Sequence, residues 1–218
     1  PIKSPNDLKP TSIFMETSTI TTNTDSASSP LLFDTPSAWV EAVLNNFDSF
    51  LQDHAAAEKK ASGMALSMIA HYPDRIKLVE AMTDLAIEEL NHYREVIRWL
   101  HRRGQQLAAD TKDAYVIAMR NQIRQGTDVY FLDRLITSAI IEARGCERFG
   151  LVAGALPQDE PLQRFYEAIT ASEQRHYSEF IDLAKYYFDS AEVSEREQQL
   201  LAAEAEIVGA LPIKAALH

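Results

Sequence analysis

From Thr35 onward apolar positions recur at alternating steps of three and four, the spacing that lays one stripe along an α-helix. The first stripe holds positions 47, 51, 54, 58, 61, 65 and 69. It opens at Thr35-Pro36, where the hydroxyl can cap free amides and the proline fits the first turn, and His71-Tyr72-Pro73-Asp74 breaks it. The second runs from about Pro73 to Arg103 with 78, 82, 85, 89, 92, 96 and 99 inward, and stops at Gly104. Helix formers from Asp113 to Gln125 predict a connecting helix ended by Gly126. A third long stripe follows at 131, 135, 138, 142, 145, 149 and 152, ending near Gly154 to Pro157. The fourth spans about Pro161 to Phe188, with 162, 166, 169, 173, 176, 180, 183 and 187 inward. Ser194-Glu195-Arg196-Glu197 matches a capping box and predicts a last helix to about Leu211. No segment alternates like a strand. Four long helices with a crossover between the second and third predict an all-α, ferritin-like four-helix bundle with an extra C-terminal helix.

The first residues differ. From Thr17 to Ser29, nine of thirteen positions are Ser or Thr with no apolar period, so residues 1–34 read as an N-terminal tail and 35–218 as the bundle domain. Ile13, Phe14 and Met15 could tack that tail to the body. A single cysteine, Cys146, excludes an internal disulfide and favours a reducing, cytoplasmic setting. No apolar run is long enough for a membrane helix, and no membrane partner is expected.

Two Glu-x-x-His motifs, Glu89 with His92 and Glu173 with His176, lie on inward stripes, where residues three apart share a face. The other two long helices each offer one inward carboxylate, Glu58 and Glu142. The spacing from Glu58 to Glu89 is 31 residues, that from Glu142 to Glu173 is also 31, and all three ligand types repeat at an offset of 84. The chain is thus a duplicated helical hairpin. Pro73 and Pro157 sit at the midpoints of the two halves, so each carboxylate pair falls at one level, about 23 Å from its turn at about 1.5 Å per residue. Four carboxylates buried together would resist ionisation, and metal cations remove that cost. Oxygen-rich ligation with one imidazole per ion suits iron or manganese better than structural zinc. Glu89 and Glu173 are expected to bridge two ions, with Glu58 and Glu142 terminal.

Beyond the ligands, the stretches Ala57-Glu58-Lys59-Lys60-Ala61-Ser62-Gly63-Met64-Ala65, His71-Tyr72-Pro73-Asp74 and Glu89-Leu90-Asn91-His92-Tyr93-Arg94-Glu95-Val96 resemble the MiaE family of tRNA hydroxylases over about residues 36 to 210. The resemblance implies a non-haem di-iron monooxygenase that uses O2 and external electrons to hydroxylate the isopentenyl group of 2-methylthio-N6-isopentenyladenosine beside the tRNA anticodon. It implies two iron ions held by Glu58, Glu89, His92, Glu142, Glu173 and His176, and an electron-transfer reductase or ferredoxin-like donor. Some similar monooxygenases carry a Thr four residues after the terminal Glu of the third helix; here that position is Cys146, read first as a small packed side chain. Tyr93 and Tyr177 read as core residues beside the ligands.

The net charge of −11 disfavours unspecific RNA binding, yet from Arg94 to Arg124 seven cations face three anions. Arg94, Arg98 and Arg102 form one stripe; with Arg103, Arg120 and Arg124 they are the candidate tRNA contacts, and Lys59 and Lys60 flank a ligand. Competing readings are iron storage, peroxide reduction and a bundle with a vestigial site. The single Cys argues against a rubrerythrin-like electron-transfer module.

Overall fold

The computed structural model describes residues 29–158 and 160–218, so residues 1–28 of the expected tail, Ile13, Phe14 and Met15 among them, lie outside the described residues. Seven helices and no strand occur among them: α1 Ser37–Asn45, α2 Phe47–His71, α3 Ile76–Arg102, α4 Ala114–Arg120, α5 Thr127–Ala155, α6 Pro161–Tyr187 and α7 Ser190–Ala210. The long four are α2, α3, α5 and α6, paired as two antiparallel hairpins, α2 with α3 and α5 with α6. The backbones of the two hairpins come close through α3 and α6, whereas those of α2 and α5 stay farther apart and are bridged by side chains. This is the ferritin-like arrangement, with α4 in the crossover and α7 laid on α5.

Several boundaries differ from the sequence pattern, each for a local reason. The first stripe is two helices, because Asn46 leaves the helical region at φ −143°, ψ 58° after the polar Asn45-Asn46 pair. Thr35 does not cap α1. Its hydroxyl donates to Glu147 Oε2 at 2.7 Å, and its amide donates to Glu147 Oε1 at 2.8 Å. The connecting helix ends at Arg120 rather than Gln125, since Asp133 accepts the amide of Arg124 at 2.8 Å and turns the chain. The capping box at Ser194 lies inside α7, which starts a turn earlier where Asp189 accepts from the amides of Ala191 and Glu192. The two hairpin turns fall at Pro73 and Pro157 as the symmetry requires.

The core is split into two apolar clusters. One surrounds Met68, Leu78, Leu135, Ile136 and Phe180 near the α2–α3 turn; the other surrounds Trp39, Phe50, Leu100, Phe149 and Tyr166 at the opposite end. The layer of carboxylates and imidazoles lies between them.

One buried ionic network ties the outer pieces to this core. Arg144 on α5, 0% exposed, donates through Nε to Glu204 Oε1 of α7 at 2.7 Å, through Nη1 to Glu147 Oε2 at 2.7 Å and through Nη2 to the Phe33 carbonyl at 2.8 Å. Arg148 donates to the Leu217 carbonyl at 2.6 Å. Residues 33–35, α7 and the chain's last residues are therefore pinned to one helix by charge-assisted bonds. Removing one partner of a buried pair leaves a charge without compensation. Glu204→Ala should cost about 3 kcal/mol of stability on that ground, read from the urea midpoint. A change below about 0.5 kcal/mol, the scatter of ordinary surface substitutions, would show that the network is not what holds α7.

Candidate metal centre and its cavity

Each of the six expected ligands arrives on a different turn of a long helix, and the hairpin geometry brings them to one level. Ligand atoms of Glu58, Glu89, His92 and Glu173 lie within 4.8 Å of one another, and so do those of Glu89, Glu142, Glu173 and His176. The two groups share Glu89 and Glu173. Both imidazoles turn Nδ1 inward: His92 Nδ1 is 3.1 Å from Glu173 Oε1 and 3.6 Å from Glu58 Oε2, and His176 Nδ1 is 2.8 Å from Glu173 Oε2 and 3.2 Å from Glu89 Oε1. His176 Nε2 faces outward to Glu88 Oε2 at 3.4 Å.

The electrostatics are those of a cluster with too much negative charge for a dry interior. Burial, then the charges of Glu58 and Glu173, push Glu89 well above the usual carboxylate range. Burial and the neighbouring Glu173 raise Glu142 to about 7. Burial opposes ionisation of Glu58 as well, but hydrogen bonds with Glu89, His54 and His92 outweigh it and hold Glu58 low. Burial disfavours the charged imidazoles, yet bonds to Glu173, Glu58 and Glu89 push His92 up to about 12, and bonds to Glu142 and Glu173 push His176 up to about 12. Even so, Glu89 Oε1, Glu173 Oε1 and His92 Nδ1 are buried and lack an aligned hydrogen-bond partner. Such orphaned atoms, all aimed into one layer, fit a pair of divalent cations with oxygen-rich ligation. The cluster is compatible with iron.

A cavity of about 560 Å³ opens onto this layer between the separated backbones of α2 and α5. Glu58, Glu89, Glu142 and Glu173 line its floor, while His92 and His176 stand behind them on α3 and α6. Ala57, Ala61, Met64, Val116, Ile141 and Phe149 make its walls apolar. Part of it is roofed by α4 and by His218, whose ring stacks on Tyr115 at 4.8 Å and bonds Asp113 at 3.0 Å. Lys60 and Arg120 are exposed at its rim, with Arg134 half-buried beside them. Among the described residues none of these three is paired with a carboxylate, and Lys60 donates to the Thr111 carbonyl at 3.0 Å.

The six arginines singled out as RNA contacts are dispersed by the fold. Arg120 is on the cavity rim. Arg124 is bound by Asp133, with Nη2 at 2.8 Å from Oδ1. Arg98 pairs with Glu95, Arg103 with Asp48, Arg102 lies over Trp99, and Arg94 is 4.0 Å from Glu95. Cys146 is half-buried and donates to the Thr170 carbonyl at 3.5 Å; burial and Glu173 push its thiol up to about 11, so it packs rather than ionises. Tyr177 donates to Glu197 on α7, and Tyr93 packs against the second apolar cluster. The sequence pattern placed 54 and 166 inward but gave no role to His54, which contacts Glu58, or to Tyr166 behind it.

Both imidazoles bind a proton more tightly folded than unfolded, so the stability they contribute is complete below their ordinary value of 6.5 and is lost as pH rises toward about 12. With a chelator present, the thermal midpoint should therefore fall as pH is raised from about 6.5 to about 9. A rising midpoint over that interval would contradict the protonated cluster.

Comparison with known proteins gives a matching family, two similar hydroxylases and a solved structure of similar fold. A family model described as tRNA-(MS[2]IO[6]A)-hydroxylase (MiaE) matches residues 22–218, beginning well before residue 36. The tRNA 2-(methylsulfanyl)-N(6)-isopentenyladenosine(37) hydroxylase of Pseudomonas putida is 40% identical over 174 residues, covering 80% of this chain and 84% of that protein. The Salmonella typhimurium hydroxylase of the same name is 32% identical over 156 residues, covering 72% of this chain and 56% of the relative, so the chain spans little more than half of it. Among solved structures, a protein described as Protein 43 with aldehyde deformylating oxygenase activity, from Synechococcus, superposes with a TM-score of 0.80 at 31% identity, covering 86% of this chain and 94% of that one.

Proposed function

Because the chain belongs to the MiaE family of tRNA hydroxylases, we infer that it hydroxylates the isopentenyl group of 2-methylthio-N6-isopentenyladenosine in tRNA. The observation that carries this reading is the apolar cavity of about 560 Å³ ending on the carboxylate layer. A prenyl chain is a saturated and olefinic hydrocarbon, which Ala57, Ala61, Met64, Ile141 and Phe149 can desolvate and orient. The base that bears it must leave its stack, as single-stranded anticodon-loop bases do.

On this reading Glu58, Glu89, His92, Glu142, Glu173 and His176 would hold two iron ions, with Glu89 and Glu173 belonging to both groups of ligand atoms. The iron pair supplies oxygen-activating redox chemistry when bound. The net reaction joins a C–H bond, O2, two electrons and two protons into C–OH and water, so the electrons come from an external reductase or ferredoxin-like donor. The protein's own part is positional. Helices α2 and α5 hold the prenyl carbon against the carboxylate layer, α4 and His218 cover part of it, and the apolar walls keep bulk water away. A tRNA substrate places this work in the cytoplasm, and none of the described helices is long and apolar enough to cross a membrane.

The cations that suit tRNA phosphates best are those at the mouth, Lys60, Arg120 and Arg134, because none of them forms an ion pair with a carboxylate among the described residues. On the stripe, by contrast, Arg98 is already bound by Glu95. Charge reversal of Lys60, Arg120 and Arg134 together should lower tRNA affinity and reduce its salt slope by about 2–3, since each lost phosphate contact removes about 0.9 from a duplex slope and about 0.7 from a single-stranded one. Reversal of Arg94, Arg98 and Arg102 should do less, and the opposite ranking would move the tRNA to the α3 stripe.

The decisive assay is a single turnover. Anaerobically reduced, iron-loaded protein is given O2 and tRNA bearing the modified adenosine, and the nucleosides are weighed by mass spectrometry. One added oxygen atom on that nucleoside is expected. Glu142→Ala should retain helical content by circular dichroism while losing that product, and unimpaired product formation would refute the ligand assignment.

A further inference from the structure

The duplication that builds the site is broken at one layer. Adding the repeat offset of 84 to position 54 leads to 138, and subtracting it from 166 leads to 82. His54 and Tyr166 in one half thus correspond to Ser138 and Met82 in the other. In the first half the imidazole bridges two groups: His54 Nε2 is 2.5 Å from Glu58 Oε1, and His54 Nδ1 is 3.1 Å from the Tyr166 hydroxyl. In the second half Ser138 Oγ turns to Met64 Sδ at 3.6 Å, and the nearest cation to Glu142 is His176 at 3.9 Å.

The surroundings of His54 leave its ring two polar partners. The ring is 0% exposed and packed against Phe149, whose centroid lies 4.5 Å away, with Phe50 and Phe165 nearby. Without room for solvent both nitrogens must be satisfied by these two partners. An ionised carboxylate can only accept, so Nε2–H donates to Glu58, and Nδ1 pairs with the Tyr166 hydroxyl. Glu58 Oε1 is therefore engaged from behind.

We propose that His54 and Tyr166 are positioning residues that occupy Glu58 Oε1 and leave Oε2 alone to face the metal layer, so that Glu58 binds through one oxygen while Glu142 is free to use both. This rests on the metal-centre reading above and concerns its symmetry. Glu58 Oε2 is the atom that approaches His92 Nδ1, at 3.6 Å, as the geometry requires. Glu142 stands beside the cavity with its side chain 11% exposed, against 4% for Glu58. The two ion positions are consequently inequivalent. The Glu58–His92 position is held rigid from behind, and the Glu142–His176 position is the one whose coordination opens toward the cavity.

The test is an anaerobic titration of the metal-free full chain with Co(II), whose visible spectrum reports coordination number. The wild-type chain should take two ions in two resolved steps with different spectra. Tyr166→Phe removes one hydroxyl and keeps the ring packing; it should weaken one step about 10–100-fold, the usual effect of losing a partner behind a ligand, and leave the other within about twofold. His54→Phe should weaken the same step, and His54→Gln, whose amide can still donate to Glu58, should recover part of it. Ser138→Ala, at the matching position of the other half, should move neither. Two identical steps in the wild-type chain, or variants of His54 and Tyr166 that weaken both steps or neither, would overturn the proposal. Failure of the wild-type chain to bind two ions would instead bring down the metal-centre reading on which it stands.

Discussion

Everything in this fold is arranged around one electrostatic problem: four carboxylates held in a dry layer between two apolar clusters. Two imidazoles cannot balance four carboxylates, and burial with the neighbouring charges pushes Glu89 and Glu142 above the usual carboxylate range. A site built this way is poorly served by the protein alone and well served by cations. That constraint explains why the four long helices must pack at fixed level, since a shift of one turn on any of them would remove a carboxylate from the layer and bury it in hydrocarbon.

The constraint also explains why the bundle is closed on one flank and open on the other. Helices α3 and α6 pack together and carry both Glu-x-x-His motifs, so the histidines and the two shared carboxylates meet where the two hairpins join. Helices α2 and α5 carry one carboxylate each, and their backbones stay apart, bridged by side chains such as Met64 with Ser138 and His54 with Phe149. Between them the cavity reaches the layer from the side away from the imidazoles. A hydrocarbon substituent can thus approach the layer without displacing a histidine.

Pseudo-symmetry brings the six side chains together, and departures from it make the surroundings of the two halves differ. The offset of 84 reproduces Glu58, Glu89 and His92 as Glu142, Glu173 and His176, but not His54, Tyr166 or Glu88, whose counterparts are Ser138, Met82 and Ser172. Ser172 in turn donates to Glu88, the carboxylate behind His176. Additions outside the duplicated hairpins act similarly. The crossover is tied along α2 by Lys59 on Asp110 and Gln52 on the Gln106 carbonyl, which puts α4 over the cavity.

The periodic pattern determined the four long helices, their turns at Pro73 and Pro157 and the meeting of six side chains at one level. All of that follows from helical geometry counted along one chain, where a rise per residue and a shared face are local quantities. What tertiary structure alone decided is where distant segments fill each other's needs. Thr35 reads as a helix cap and instead serves Glu147. Arg144 reads as one more charge on α5 and is the buried hub for Glu204 and Phe33, and Arg124 reads as an RNA contact and is held by Asp133. His54 was legible as an inward position, but its partner Tyr166 is 112 residues away. The cavity belongs to the same class, because it lies between the separated backbones of α2 and α5 and is walled and roofed from α2, α4, α5 and the last residues. Periodicity states which face of a helix turns inward; which other face it meets, and what gap is left, depends on packing among all of them.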